Sequence, residues 1–160
     1  MAEGLEEDAR MSRFARGLAL LAIAAALAPR VWSQPSGQEA AIRQVLQSQV
    51  DAWNQHDIEG FMAGYWNSPD LTFFSGGTET RGWQQTLERY RKNYQGPGAE
   101  MGKLEFKDLQ VKLLGPSSAF VRGKFQLTLS NGKQPHGLFT LVFRKFPEGW
   151  KIIHDHSSSG

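Results

Sequence analysis

From Leu104 onward the sequence stops repeating every three to four residues and begins to alternate. Four runs, Leu104 to Leu114, Ala119 to Leu129, Gly137 to Phe146 and Trp150 to Ser157, place apolar and polar side chains in turn, the period of strands with one buried face. Gly115-Pro116-Ser117-Ser118, Ser130-Asn131-Gly132-Lys133 and Pro147-Glu148-Gly149 separate them. Asn131-Gly132 is the strongest hairpin signal, because both residue types accept the positive φ that tight strand reversals need. Connections this short place consecutive strands side by side and antiparallel. A meander of long strands is thereby imposed, and whatever precedes it has to pack on it.

Upstream the period is helical. Between Gln38 and His56 apolar residues fall at Ala41, Ile42, Val45, Leu46, Val50 and Trp53, with Gln49 as a gap in the stripe, and Ser36 is placed to cap the first turn. Asp57 caps a second short helix through Trp66, whose stripe is Ile58, Phe61, Met62, Tyr65 and Trp66; Asn67-Ser68-Pro69-Asp70 stops it. Leu71 to Ser75 reads as a short strand turned by Gly76-Gly77. Arg81-Gly82 leads into a third helix, Trp83 to Tyr94, with Trp83, Leu87, Tyr90 and Tyr94 on one face, and Gln95-Gly96-Pro97-Gly98 breaks it. Helices followed by a meander predict an α+β fold: three N-terminal helices packed on a strongly curved, mainly antiparallel sheet. A long twisted sheet has to curl over the helices to bury its apolar face, which makes a cone with an open end.

The front of the chain reads differently. Met11-Ser12-Arg13-Phe14-Ala15-Arg16 is a basic segment, followed by an unbroken apolar run from Leu18 to Ala28. The run is too short to span a bilayer but has the length of a secretory core. Val31-Trp32-Ser33 offers small residues for cleavage before Gln34, so residues 1–33 are expected to be a signal peptide, 34–37 a linker and 38–160 the domain. The acidic stretch before Met11 does not suit such a signal, which makes Met11 the expected true start. Export to a periplasm or the extracellular space follows, with no stable membrane span after cleavage. The net charge is only +2 and there is no cysteine. Dispersed charge gives no nucleic-acid footprint, and the cysteine count excludes disulfides and thiolate metal sites.

The last strand carries the strongest chemical signal. Residues two apart share a face, so Trp150, Ile152, His154 and His156 form one set and Lys151, Ile153, Asp155 and Ser157 the other. A face that is apolar and then turns to histidine reads as a pocket wall, dry at its base and polar at its mouth. Imidazole titrates near neutrality and can move protons without a special environment, so His154 and His156 are the candidate catalytic pair. Arg122 is a planar fork suited to a carboxylate or phosphate, or a sheet-face arginine paired to a neighbouring acid. Trp53 and Tyr65 are the aromatics expected to form pocket walls. A metal is not expected, since two histidines are too few, with Asp57 or His136 the conceivable third ligand; no cofactor is implied. Asp155, on the other set, is expected to meet a basic strand neighbour or a partner subunit.

Helix 1 with Trp53 and the following Asp57, helix 2 with Tyr65, the Arg81-Gly82 step into helix 3 and the curled meander together resemble the nuclear transport factor 2-like superfamily. That superfamily has a cone-shaped, cystatin-like roll and includes ketosteroid isomerases and SnoaL-type polyketide cyclases. The ending Trp150…His154-x-His156-x-Ser158 and Ala119-Phe120-Val121-Arg122 are similar to two strands of the association domain of calcium/calmodulin-dependent protein kinase II. There the arginine lies in a pocket, and a further pocket arginine is replaced here by Leu141. Ketosteroid isomerases need a carboxylate base opposite a tyrosine and a protonated aspartate in an apolar cavity, and the sequence pattern assigns no residue to that triad.

Three readings follow. The first is a pocket protein for a modest, partly apolar ligand with one ionisable group, lined by Trp53, Tyr65, Arg122, Ile152, His154 and His156. The second is an isomerase or cyclase with histidine-mediated proton transfer next to a carbonyl. The third is an assembly module with a vestigial cavity. A hydrogen-bonded acid–base pair deep in the cavity would favour the second. A homodimer through the outer sheet face is also expected, with Phe125, Leu127 and Leu129 as apolar residues that need cover.

Overall fold

The computed structural model describes residues 36–160; the segment from Met11, the Leu18 to Ala28 run and the site before Gln34 lie outside the described residues. The elements are α1 (Gly37–Asn54), α2 (Ile58–Met62), β1 (Thr72–Ser75), β2 (Thr78–Arg81), α3 (Trp83–Tyr94), β3 (Lys103–Leu113), β4 (Ser118–Thr128), β5 (His136–Phe146) and β6 (Gly149–Ser159).

Local chemistry sets the helix starts. Ser36 Oγ accepts from the Glu39 N–H at 3.2 Å, and Asp57 Oδ1 accepts from the Gly60 N–H at 2.8 Å, each satisfying a donor the helix itself leaves open. Gln49, the apparent gap in the α1 stripe, is buried with Ile42, Leu46 and Trp53; its Nε2 donates to the Phe61 carbonyl at 3.1 Å. That bond lets a polar residue sit in the core and ties α1 to α2.

Two expectations are corrected. Helix α2 ends at Met62 rather than Trp66, because the chain leaves it to join the sheet: Tyr65 bridges Ile152, Ile152 N–H donates to Gly64 O and Trp66 N–H donates to Ile152 O. The sheet also has six strands, in the order β2-β1-β6-β5-β4-β3. Strand β1 pairs parallel with β6 and antiparallel with β2. Thr78-Glu79-Thr80-Arg81 carries no apolar alternation, so β2 left no periodic signal in the sequence.

The sheet curls where glycine permits it. In β3 the pairing skips at Asp108 and Leu109, with Asp108 in the left-handed region at φ 54°, a bulge that bends the strand. Opposite it, a Cβ on Gly123 would stand 2.8 Å from the Phe139 ring and 2.9 Å from Leu109. A Cβ on Gly137 would lie 2.0 Å from the Ser158 carbonyl. Ile42 and Leu46 of α1 belong to the same buried core as Leu71, Val121, Phe143 and Ile152.

The orientation of β4 differs from the expectation for the dimer surface. Phe125, Leu127 and Leu129 face the concave side and line a cavity, whereas Arg122, Lys124 and Thr128 are exposed on the outside. The pattern permits either polarity. Burying the face that carries Ala119, Val121 and Leu127 against the helices removes more apolar surface from water.

Candidate functional site

The site is built by a slip in β6. Phe143 pairs with Ile152, but the next residue of β5, Val142, pairs with His154, leaving Ile153 as an extra residue. An extra residue shifts every later side chain to the opposite face. Trp150 and Ile152 therefore point into the core, and beyond the bulge Asp155, Ser157 and Ser159 point inward instead of the histidines.

Those residues line a cavity of about 330 Å³ between the helices and the concave sheet, at the small end of the range for ligand pockets. Its walls combine many aromatic rings with a polar minority. Trp53, Phe61, Tyr65, Tyr90 and Tyr94 come from the helical side and Phe106, Phe125 and Phe139 from the sheet. Trp53 meets Phe61 and Tyr94 edge-on at 5.1 and 4.8 Å, and Tyr90 stacks on Tyr94 at 5.8 Å, arrangements that hold a rigid apolar surface.

Two carboxyls stand in this wall: Glu100 is exposed and accepts from Ser130, and Asp155 is buried. Asp155 is 3% exposed, and it accepts from the Tyr65 hydroxyl at 2.7 Å and from Ser157 Oγ at 2.7 Å. Burial pushes its pKa from 3.8 up to about 6, against the opposing pull of those two hydrogen bonds. The cause is desolvation: the ionised form loses water that two donors replace only in part. Burial, reinforced by Asp155, holds the Tyr65 hydroxyl well above its ordinary value, and Tyr90 is raised in the same way. The cavity thus contains a carboxyl that changes charge near neutrality beside phenols that keep their protons. Such an arrangement can take a proton from a bound molecule, return it, and donate hydrogen bonds to an oxygen.

The SnoaL-like domain model matches residues 42–160. The chain belongs to the SnoaL-like family. A crystal structure of an NTF2-like protein of unknown function from Shewanella oneidensis MR-1 is 37% identical to this SnoaL-like domain, covering 74% of this chain and 97% of that one at a TM-score of 0.68. A ketosteroid isomerase-like protein from Erwinia carotovora atroseptica SCRI1043 is 19% identical over 78% of this chain and 97% of its own, with a TM-score of 0.63. A domain of unknown function with a cystatin-like fold from Nostoc punctiforme PCC 73102 is 23% identical, covering 78% of each chain at 0.65. The last two share the fold. No curated protein matches. The family binds small molecules and includes isomerases. The narrower likeness to the kinase association domain finds no support in these relatives.

Within the SnoaL-like domain, Trp53 and Tyr65, two of the residues the sequence singled out, line the cavity. The other candidates are placed elsewhere. Ile152 is wholly buried in the core, below the cavity wall. Arg122 is exposed on the outer face, where its Nε donates to Gln110 Oε1 at 2.8 Å. His154 and His156 are turned to the outer face by the Ile153 bulge. His154 Nδ1 shares a 2.7 Å hydrogen bond with Thr72 Oγ1, and its ring meets Phe74 edge-on at 5.0 Å; burial, then the neighbouring His156, lowers its pKa. His136 is exposed against the Gln134 carbonyl, Asp57 is spent on its cap, and no group of three metal-binding side chains occurs among the described residues. Asp155 and Arg89 are the cavity residues that the sequence reading missed. The Ile152-Ile153 doublet, which breaks the alternation just before Asp155, is the one sequence sign of the bulge.

Proposed function

We propose that this domain binds a small, largely apolar molecule in the cavity and transfers a proton on it, with Asp155 as general base. The observation that carries this is the buried Asp155 carboxyl, paired with Tyr65 in an aromatic cavity and poised near neutrality. A carboxylate there removes a proton from carbon next to a ligand carbonyl and, as the acid, returns it to another position. Tyr90, adjoining Tyr65 and Asp155, is the phenol placed to donate to the carbonyl oxygen as negative charge develops on it. The aromatic walls keep water from competing for both groups. This is the isomerase or cyclase reading with an aspartate in the role the sequence assigned to histidine. The test is hydrogen–deuterium exchange at the α-carbon of small cyclic ketones in D2O, followed by NMR. Wild type should accelerate exchange and Asp155→Asn should lose about 10³-fold of it, the scale of a positioned general base. Equal rates in the two proteins would refute the assignment.

We further infer export, supported by the basic segment and the Leu18 to Ala28 run, and a homodimer through the outer sheet face. Among the described residues no helix is long and apolar enough to cross a membrane. On that outer face Leu138 is 58% exposed beside partly buried Phe74, Phe120 and Val142. Native mass spectrometry of periplasmic or secreted protein should find a dimer of chains that begin at Gln34; an uncleaved cytosolic monomer would contradict both.

A further inference from the structure

Proton transfer leaves one cation of the cavity without a task. Arg89, on α3, lines the cavity and also a shallow outer cleft with Thr78, Thr80, Glu88, Lys92 and Asn93, so its side chain stands where inside meets outside. The guanidinium lies 5.0 Å from the Phe73 ring centroid. Its Nη1 donates to Thr80 Oγ1 at 2.8 Å and its Nη2 to the Ser75 carbonyl at 3.0 Å. A guanidinium has five N–H donors, and these two acceptors are neutral. Arg43, Arg81 and Arg91 each meet a glutamate; among the described residues no carboxylate forms an ion pair with Arg89. The acids nearby are engaged elsewhere: Glu88 accepts from Gln84, and both oxygens of Glu100 accept from Ser130.

We infer that Arg89 anchors an anionic group, and that the ligand is a carboxylate on a flat apolar body. The inference rests on the proposed reading of the cavity as a small-molecule site. The geometry orients such a ligand. Phe73 pairs with Asp155 and Ser75 with Ser157, so Ser75, whose carbonyl holds Arg89, is one strand across and a two-residue step along from Asp155, about 8 Å. A carboxylate at Arg89 therefore keeps clear of ionised Asp155, while the body of the ligand lies in the cavity against Tyr90 and Phe139. The carbon facing Asp155 is then about one ring's length from the carboxylate. Arginine suits this position because its fork can bind both carboxylate oxygens while staying fixed over an aromatic face.

The experiment compares 2-naphthoate with its neutral isostere 2-naphthamide, titrated into the purified protein by calorimetry at pH 8, with tryptophan fluorescence as a second readout. Naphthoate should bind about tenfold more tightly, the scale of one charge-assisted contact, and added salt should erode the difference. Arg89→Met should bring the two probes to the same affinity by weakening naphthoate alone, and Arg89→Lys should keep part of the preference. Equal affinities in wild type, a result that needs no variant to fold, overturn the anchor while leaving the small-molecule reading intact. So does a preference that survives in Arg89→Met. Binding of neither probe overturns the small-molecule reading and the anchor with it.

Discussion

The two faces of β6 carry the same kinds of side chain to different ends. Outside, His154 and His156 stand next to Thr72 and Phe74, with solvent within reach. Inside, Asp155 lies between them in sequence and has lost its water to Tyr65, Ser157 and the aromatic wall. Histidine looks the better proton carrier on paper, since it titrates near neutrality unaided. The carboxyl reaches the same range through burial. Position in the fold, more than residue type, decides which group faces a ligand.

The comparison breaks first, and most visibly, in the kinetics. If the inner face alone does the chemistry, ketone exchange should rise as pH passes through about 6, where Asp155 ionises. The His154→Ala/His156→Ala double variant should keep that profile. A profile that disappears with the histidines would return the chemistry to the outer face.

Stability sharpens the contrast at a smaller scale. The folded protein holds the Asp155 proton more tightly than the unfolded chain does, so between pH 3.8 and about 6 the native state binds more protons. Stability contributed by this group therefore falls as pH rises through that window, and the penalty is fully present above it. Asp155→Asn should raise stability above pH 6 by up to about 3 kcal/mol and leave it nearly unchanged near pH 3. Chemical denaturation at the two pH values measures this, and a loss of stability at pH 8 would contradict it.

The smallest effect belongs outside. His154→Ala removes the Thr72 bond and the Phe74 contact, at a cost of about 1 kcal/mol. Because the pKa of His154 is lowered in the fold, the unfolded chain gains its proton first as pH falls, and wild type loses stability there. The substitution should accordingly cost less at pH 5 than at pH 8. Naphthoate affinity should not change. A shifted affinity would place His154 back at the ligand.

The sequence by itself determined what neighbours along the chain decide. Helix α3 runs from Trp83 to Tyr94 as its stripe and breakers require, Ser36 and Asp57 cap the helices they precede, and Gly132 takes φ 80° in the connection between β4 and β5. The α+β order and the curled meander follow from those periods. Only the tertiary structure decided the polarity of the faces. Alternation defines two sides of a strand without saying which is buried, and one extra residue at Ile153 exchanged them midway along β6. The same holds for β1, whose parallel place beside β6 pays no local signal into the sequence. Tyr65 and Asp155, 90 residues apart, meet because α2 ends early to bridge Ile152 and the bulge turns Asp155 inward. Such contacts depend on how the elements pack, and the desolvation that tunes Asp155 exists only once they have done so.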